Sequence, residues 1–175
     1  MSIPYVAQAA GHQQLEWLRG GVMNILLDGA KTDDQVMMFR STLPGGSATP
    51  VHVHDREDEV FLLLEGSGVF WAGEQRYELT DGGIAFLPRQ VPHAYLLTSE
   101  TVKMIGLSVP AGLEDFFRAA GWDRSQPQPE GWVLTPEIMA RAAAATGQTI
   151  LGPALSAGDA VIPAAYLGGR DHGAH

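Results

Sequence analysis

The stretch GSATPVHVHDREDEVFLLLEG, residues 46–66, constrains the fold more than any other part of this chain. His52 and His54 are two apart, so in an extended strand both imidazoles leave the same face and can meet one ion. A helix would set them about 200° apart around its axis. Pro50 and the β-branched Val51 and Val53 favour the extended form. Glu59 has the wrong parity to join that face if the strand simply ran on, but residues 55–58 form a polar run that predicts a turn into a second strand beginning at Glu59. Along it Glu59, Phe61 and Leu63 point one way and Val60, Leu62 and Leu64 the other, the near-continuous apolar pattern of a strand buried on both faces. Downstream, Asp81, Gly82 and Gly83 signal a hairpin and residues 84–87 a short strand. The loop from Pro88 to Pro92 then delivers His93 to a strand over residues 94–97. The candidate metal ligands are therefore His52, His54, Glu59 and His93, with Glu57 as a competing carboxylate in the turn.

Spacing carries these residues into a known pattern. Gly46, His52, His54, Glu59 and Gly66 fill every defined position of the first motif of the cupin superfamily, and the chain resembles that family most closely there. The second motif is matched by Gly82, Pro88 and His93, while Gln90 stands where a Gly is usual and Leu97 where an Asn is usual. The resemblance implies an all-β fold, a jelly-roll β-barrel with short C-terminal helices, whose interior holds one divalent transition metal on three His and one Glu. It also implies paired barrels, a homodimer, for which exposed edge strands give a physical motive.

Composition agrees with a compact chain and narrows its partners. At 175 residues there is room for one sizeable core and no second domain of ordinary size. A net charge of −9 without a basic cluster argues against nucleic acid and anionic membranes as partners. Cysteine is absent, so a metal site must use nitrogen and oxygen. The first residues lack a basic segment followed by an apolar core, and no apolar run approaches about 18 residues, so a cytoplasmic location is expected.

The remaining chain fits one barrel with an extension. Residues 15–18, 22–27 and 35–43 read as early strands, 69–71 and 75–79 as a hairpin, and 101–109 as a closing strand. No internal repeat is visible. After Pro110 the pattern changes: Leu113, Phe116, Phe117 and Ala120 fall on one face of a short helix, and Gly121 can end it. A second helix is predicted from Thr135, with Pro136 in its first turn and Gly147 at its end. The expected organisation is a barrel over 1–110, a helical extension over 111–155 and an irregular tail over 156–175. The helices can cover the outside of the barrel, or Phe116, Phe117 or Trp122 can line the cavity mouth. His12, His172 and His175 read as solvated.

The helical extension sharpens the resemblance to single-domain bacterial cupins similar to quercetin 2,3-dioxygenase. What that implies is a metal-dependent oxygenase that opens a flavonol or related aromatic enol, with O2 as co-substrate and Glu59 as both ligand and base. Three neutral imidazoles and one carboxylate give a 1+ centre with a divalent ion, open to an anionic substrate oxygen, and Ni, Mn, Fe, Co, Cu and Zn all accept such donors. Burial is expected to raise the Glu59 pKa towards that of a useful base. Phe61, Leu63, Phe86 and Tyr95 are candidate walls for a flat substrate and equally candidate core; Met37, Met38 and Phe39 share that ambiguity. Two other readings stand beside the oxygenase: a metal-dependent isomerase or lyase on a small sugar or keto acid, and a non-catalytic small-molecule or metal-binding protein. Few Arg, Lys, Asn or Gln lie near the ligands, Arg89 and Gln90 excepted, which disfavours a sugar.

Overall fold

A computed structural model describes residues 4–167. Its strands are β1 (Gln13–Glu16), β2 (Val22–Leu27), β3 (Met37–Pro44), β4 (Pro50–His54), β5 (Asp58–Glu65), β6 (Gly68–Ala72), β7 (Gln75–Leu79), β8 (Ile84–Leu87), β9 (His93–Leu97), β10 (Thr101–Val109), β11 (Trp122–Asp123) and β12 (Gln148–Ala154). Three helices accompany them: α1 (Gly29–Thr32), α2 (Leu113–Ala120) and α3 (Pro136–Thr146). The strands form two antiparallel sheets, one ordered β11-β1-β2-β3-β10-β5-β8 and one ordered β12-β4-β9-β6-β7. This is the expected jelly-roll fold, mostly β with short helices.

Alternation decides which side of each strand enters the core. Met37, Phe39, Ser41 and Leu43 of β3 are buried while Arg40 and Thr42 face out, and Val102, Met104, Gly106 and Ser108 of β10 do the same. These inner residues meet Phe70, Tyr95 and Leu97 of the other sheet in one apolar core. Strand β5 corrects the two-faced expectation: Glu59, Phe61 and Leu63 are buried, Val60 and Leu62 half-buried, and Leu64 exposed. Its outer face joins two cross-strand rows, Met38–Leu107–Val60–Phe86 and Arg40–Ile105–Leu62–Ile84. Those rows reach solvent at Ile84 and Phe86, 65% and 63% exposed.

The other sheet's outer face is covered. Val51, Val69, Trp71 and Ala94 pack beneath Leu155, just after β12, and Ile162 of the tail, and the Trp71 indole N–H donates to the Asp159 carbonyl at 2.9 Å. Each Val, Leu or Ile side chain removed from water here contributes about 1.5–3 kcal/mol.

Both helices stand where the pattern placed them, but their role is the second of the two foreseen. Leu113, Phe117, Ala120 and Ala142 enter the main core, and Leu113, Phe116 and Phe117 line the cavity. Thr135 caps α3 by accepting the Ile138 amide N–H, and Gly147, in the left-handed region at φ 79°, stops it. The stretch 148–154, placed with the helical extension by composition, is a strand: β12 pairs with β4, as β-branched Thr149 and Ile150 allow. At the N-terminal end β1 lies two residues earlier than expected, because the turn that includes Arg19 at φ 53° already begins at Leu18. His12 is half-buried, and His172 and His175 lie outside the described residues. Among the described residues no helix is long and apolar enough to cross a membrane.

Candidate metal centre

The four donors come from both sheets. His52 and His54 leave the inner face of β4, and His93 starts β9 directly opposite His52. Glu59 reaches in from β5 of the facing sheet. One donor atom from each of His52, His54, Glu59 and His93 lies within 4.8 Å of the others. Glu59 Oε2 is 2.9 Å from His93 Nε2 and 3.1 Å from His54 Nε2. Glu57 stays out of the cluster: it is buried, but its carboxylate lies against Gly112 at the start of α2.

Local structure explains why the motif has its shape. The loop before β9 is clamped by Arg89, which gives Asp58 two hydrogen bonds from its guanidinium, at 3.0 and 2.8 Å, and one from its backbone N–H. Those bonds lower the Asp58 carboxyl to about 2. The Gln90 backbone N–H donates to the His54 carbonyl at 2.7 Å, fixing the loop against β4. Gln90 does so at φ 66°, a left-handed conformation that glycine adopts without strain, which is why glycine is usual there. At Gly66, φ 100°, a Cβ would come within 2.6 Å of Ser99 Oγ, so no side chain fits.

Hydrogen bonds on the far side of each ring fix its tautomer. His52 Nδ1 and His93 Nδ1 donate to the carbonyls of Pro50 and Val91, both at 2.8 Å, and His54 Nδ1 donates to Gln148 Oε1. With the protons there, the Nε2 lone pairs of His54 and His93 face the Glu59 carboxylate, and His52 keeps its own Nε2 free within the cluster. His54 Nε2 is a buried polar atom without a hydrogen-bond partner, although Glu59 lies beside it. A lone pair facing a carboxylate is repulsive until a proton or a cation joins them. The donor set, neutral nitrogens and one anionic oxygen, suits a divalent transition metal.

Titration behaviour describes the proton's alternative. For His54 burial opposes charge, but Glu59, through its charge and its contact, together with the Gln148 bond, outweighs burial and raises the pKa. His52 is held well below its ordinary value by burial first and then by His93 and His54. For Glu59 burial works upward, as expected, but His54 and His93 outweigh it and hold the carboxyl well below its usual range. The expectation of a raised Glu59 is thus corrected for the metal-free protein. Burial, then the Glu59 charge, pushes the Tyr95 phenol up, so it stays protonated.

A cavity of about 50 Å³ lies over the donors. Phe61 and Tyr95 line it as expected, with Phe39 and Trp17 beside them and Phe116 and Phe117 from α2. Leu63 shares their side of β5 but sits in the core, outside the lining. Phe86 is corrected: paired with Val60, it belongs to the outer face and cannot touch a ligand in the cavity. Trp122 also lies elsewhere, next to Trp132. Sequence reasoning missed Met139, Ala143, Gln148 and Ile150, which close the cavity from α3 and β12. The signal available was the Gly147 stop followed by Gln148, Thr149 and Ile150, whose alternation puts Gln148 and Ile150 on one face.

Comparison with known proteins gives the same picture. Residues 39–110 match the cupin domain family. Quercetin 2,3-dioxygenase of Bacillus subtilis is 32% identical over 121 residues, covering 69% of this chain and 35% of that protein. The Aspergillus japonicus quercetin 2,3-dioxygenase is 26% identical over 125 residues, covering 67% of this chain and 36% of that protein. The chain thus spans about a third of the length of these relatives. In fold it resembles an RmlC-like cupin from Shewanella frigidimarina, with a TM-score of 0.53 at 19% identity, over 63% of this chain and 96% of that one.

Proposed function

Because the chain is a cupin similar to quercetin 2,3-dioxygenase, we propose that it is a metal-dependent dioxygenase of quercetinase type, acting on a flavonol or related aromatic enol. His52, His54, Glu59 and His93 would hold one divalent transition ion. When bound there, that ion supplies positive charge for an enolate oxygen and the redox capacity that dioxygen chemistry needs. The observation that carries the reading is the apolar, aromatic cavity set directly on the four donors, with Phe61 and Tyr95 as its inner walls.

The chain's own residues divide the work. Glu59 is ionised and buried, within reach of a hydroxyl placed against the donors, and takes its proton. Protonated Tyr95 is a hydrogen-bond donor for a substrate oxygen. The aromatic rings of Phe61, Phe39 and Phe117 hold a flat ring and exclude water. The overall change joins one O2 to the flavonol, opens its oxygenated ring and releases carbon monoxide.

Cavity size favours a second reading. Pockets that enclose drug-sized ligands hold about 300–1,000 Å³, so at about 50 Å³ this one admits a flavonol only if the α2–α3 cover shifts. Without that shift it suits a small keto acid or enediol, and the chemistry becomes isomerisation or lysis. Oxygen uptake by metal-loaded protein with quercetin, matched by carbon monoxide release, is the expected result. No uptake with any flavonol or related enediol contradicts the oxygenase. A cytoplasmic location belongs to the same proposal and rests on the sequence alone.

A homodimer belongs to it as well, supported by the apolar residues Leu107, Val60, Phe86, Ile105, Leu62 and Ile84 on the outer face of the larger sheet and by β8 at that sheet's edge. Light scattering is expected to give twice the chain mass, and a Phe86→Lys, Ile84→Lys variant the single mass. An unchanged dimer in the variant contradicts this face.

A further inference from the structure

His54 is held differently from the other two histidines. His52 and His93 donate Nδ1–H to the backbone carbonyl two residues before them, a bond that the adjoining chain provides. The His54 bond instead crosses to the Gln148 side chain, from a strand far along the chain. Gln148 is directly opposite His54 in the β12–β4 pairing, so both side chains leave the same face of the sheet. It is also buried, and it lines the same cavity as the donors.

We propose that Gln148 is a positioning residue of the metal centre, which locks His54 as the Nδ1–H tautomer and ties that ligand to the segment that closes the cavity. The inference rests on the metal reading above. An amide suits the task because its oxygen accepts a hydrogen bond from the ring N–H. Its placement depends on α3: Gly147, at φ 79°, ends the helix and turns the next residue into β12. Met139 and Ala143 of the same helix cover the cavity, so one short segment both shuts the site and aims one of its ligands.

Binding of Co(II) to the full chain, measured by chelator competition and by the visible absorption of the bound ion, tests this. Gln148→Ala is expected to weaken Co(II) by about 10–100-fold, the usual effect of losing the partner of a ligating histidine, and to change its absorption. Gln148→Glu, which keeps an acceptor oxygen, is expected to restore both. Thr149→Ala, whose side chain is exposed on the same strand, is expected to leave both unchanged. Thermal melts of the metal-free variants separate lost folding from lost positioning. Wild-type affinity and spectrum in Gln148→Ala, or equal loss in Gln148→Ala and Gln148→Glu, overturns the proposal while the metal centre stands. A wild-type chain that binds no Co(II) overturns both.

Discussion

The donors and the cover of this centre are held by different physics. His52, His54, Glu59 and His93 stand on strands whose parity aims them inward, and two of the three rings are locked by carbonyls two residues away. The cover, from Leu113 and Phe117 through Met139 to Ile150, is placed by packing between residues distant in sequence. Local rules thus fix which atoms can bind an ion. Long-range packing fixes what else fits beside it.

That division makes the donor side the place of largest effect. His93→Ala is expected to weaken divalent metal by more than about 100-fold, beyond the usual effect of losing a ligand's partner, and to abolish turnover. Met139→Ala, on the cover, is expected to leave metal affinity within a few-fold and to alter the substrate KM instead. Calorimetric titration of both variants checks the contrast; equal metal loss in the two erases it.

Next comes the choice between two nearby carboxylates. Glu59→Gln is expected to lower turnover by about 10²–10⁴-fold, the range for losing a general base, in a chain that still folds. Glu57→Gln, facing Gly112, is expected to keep both metal and turnover. Steady-state kinetics with metal analysis decides, and the opposite pattern would reassign the carboxylate.

Stability is expected to sharpen the cover side. Phe117 is buried with its ring edge-on to Trp17 at 5.2 Å and angled against Phe39 at 5.1 Å. Phe117→Ala is expected to lower stability by about 3–5 kcal/mol, as large core truncations do, with denaturant midpoints as the measure. A change no larger than that of a surface variant would mean that α2 merely rests on the barrel.

The smallest effect is a pH dependence of the metal-free protein. His52 has a lowered pKa, so below its ordinary value of about 6.5 the unfolded chain takes up a proton that the folded one refuses, and stability falls. His54 has a raised pKa, so its contribution is complete below about 6.5 and is lost as pH rises through the raised value. Their sum peaks near that pH. Melting across pH is expected to fall less steeply just below about 6.5 in His52→Gln and less steeply above it in His54→Gln, and limbs unchanged in both variants contradict the assignment.

How far the sequence carried follows the same division. Strands β2, β8 and β10 and helix α2 lie where periodicity put them, since each needs only its own residues. The four clustered donors were legible because parity and loop length are local properties. Phe86 was misplaced as a wall because hydrophobicity does not say which face it serves; the register that sets it opposite Val60 turns it outward. Gln148 was missed because its meaning lies in a pairing with His54, a contact no window of sequence contains. The lowered Glu59 depends likewise on which rings surround it, not on burial alone.

Elemental analysis of the protein loaded with a divalent ion and freed of excess tests the central claim most directly. About one ion per chain, retained by the wild type and lost from a His52→Ala, His93→Ala double variant, is the predicted result. No retained ion in the wild type, or the same content in the double variant, contradicts it.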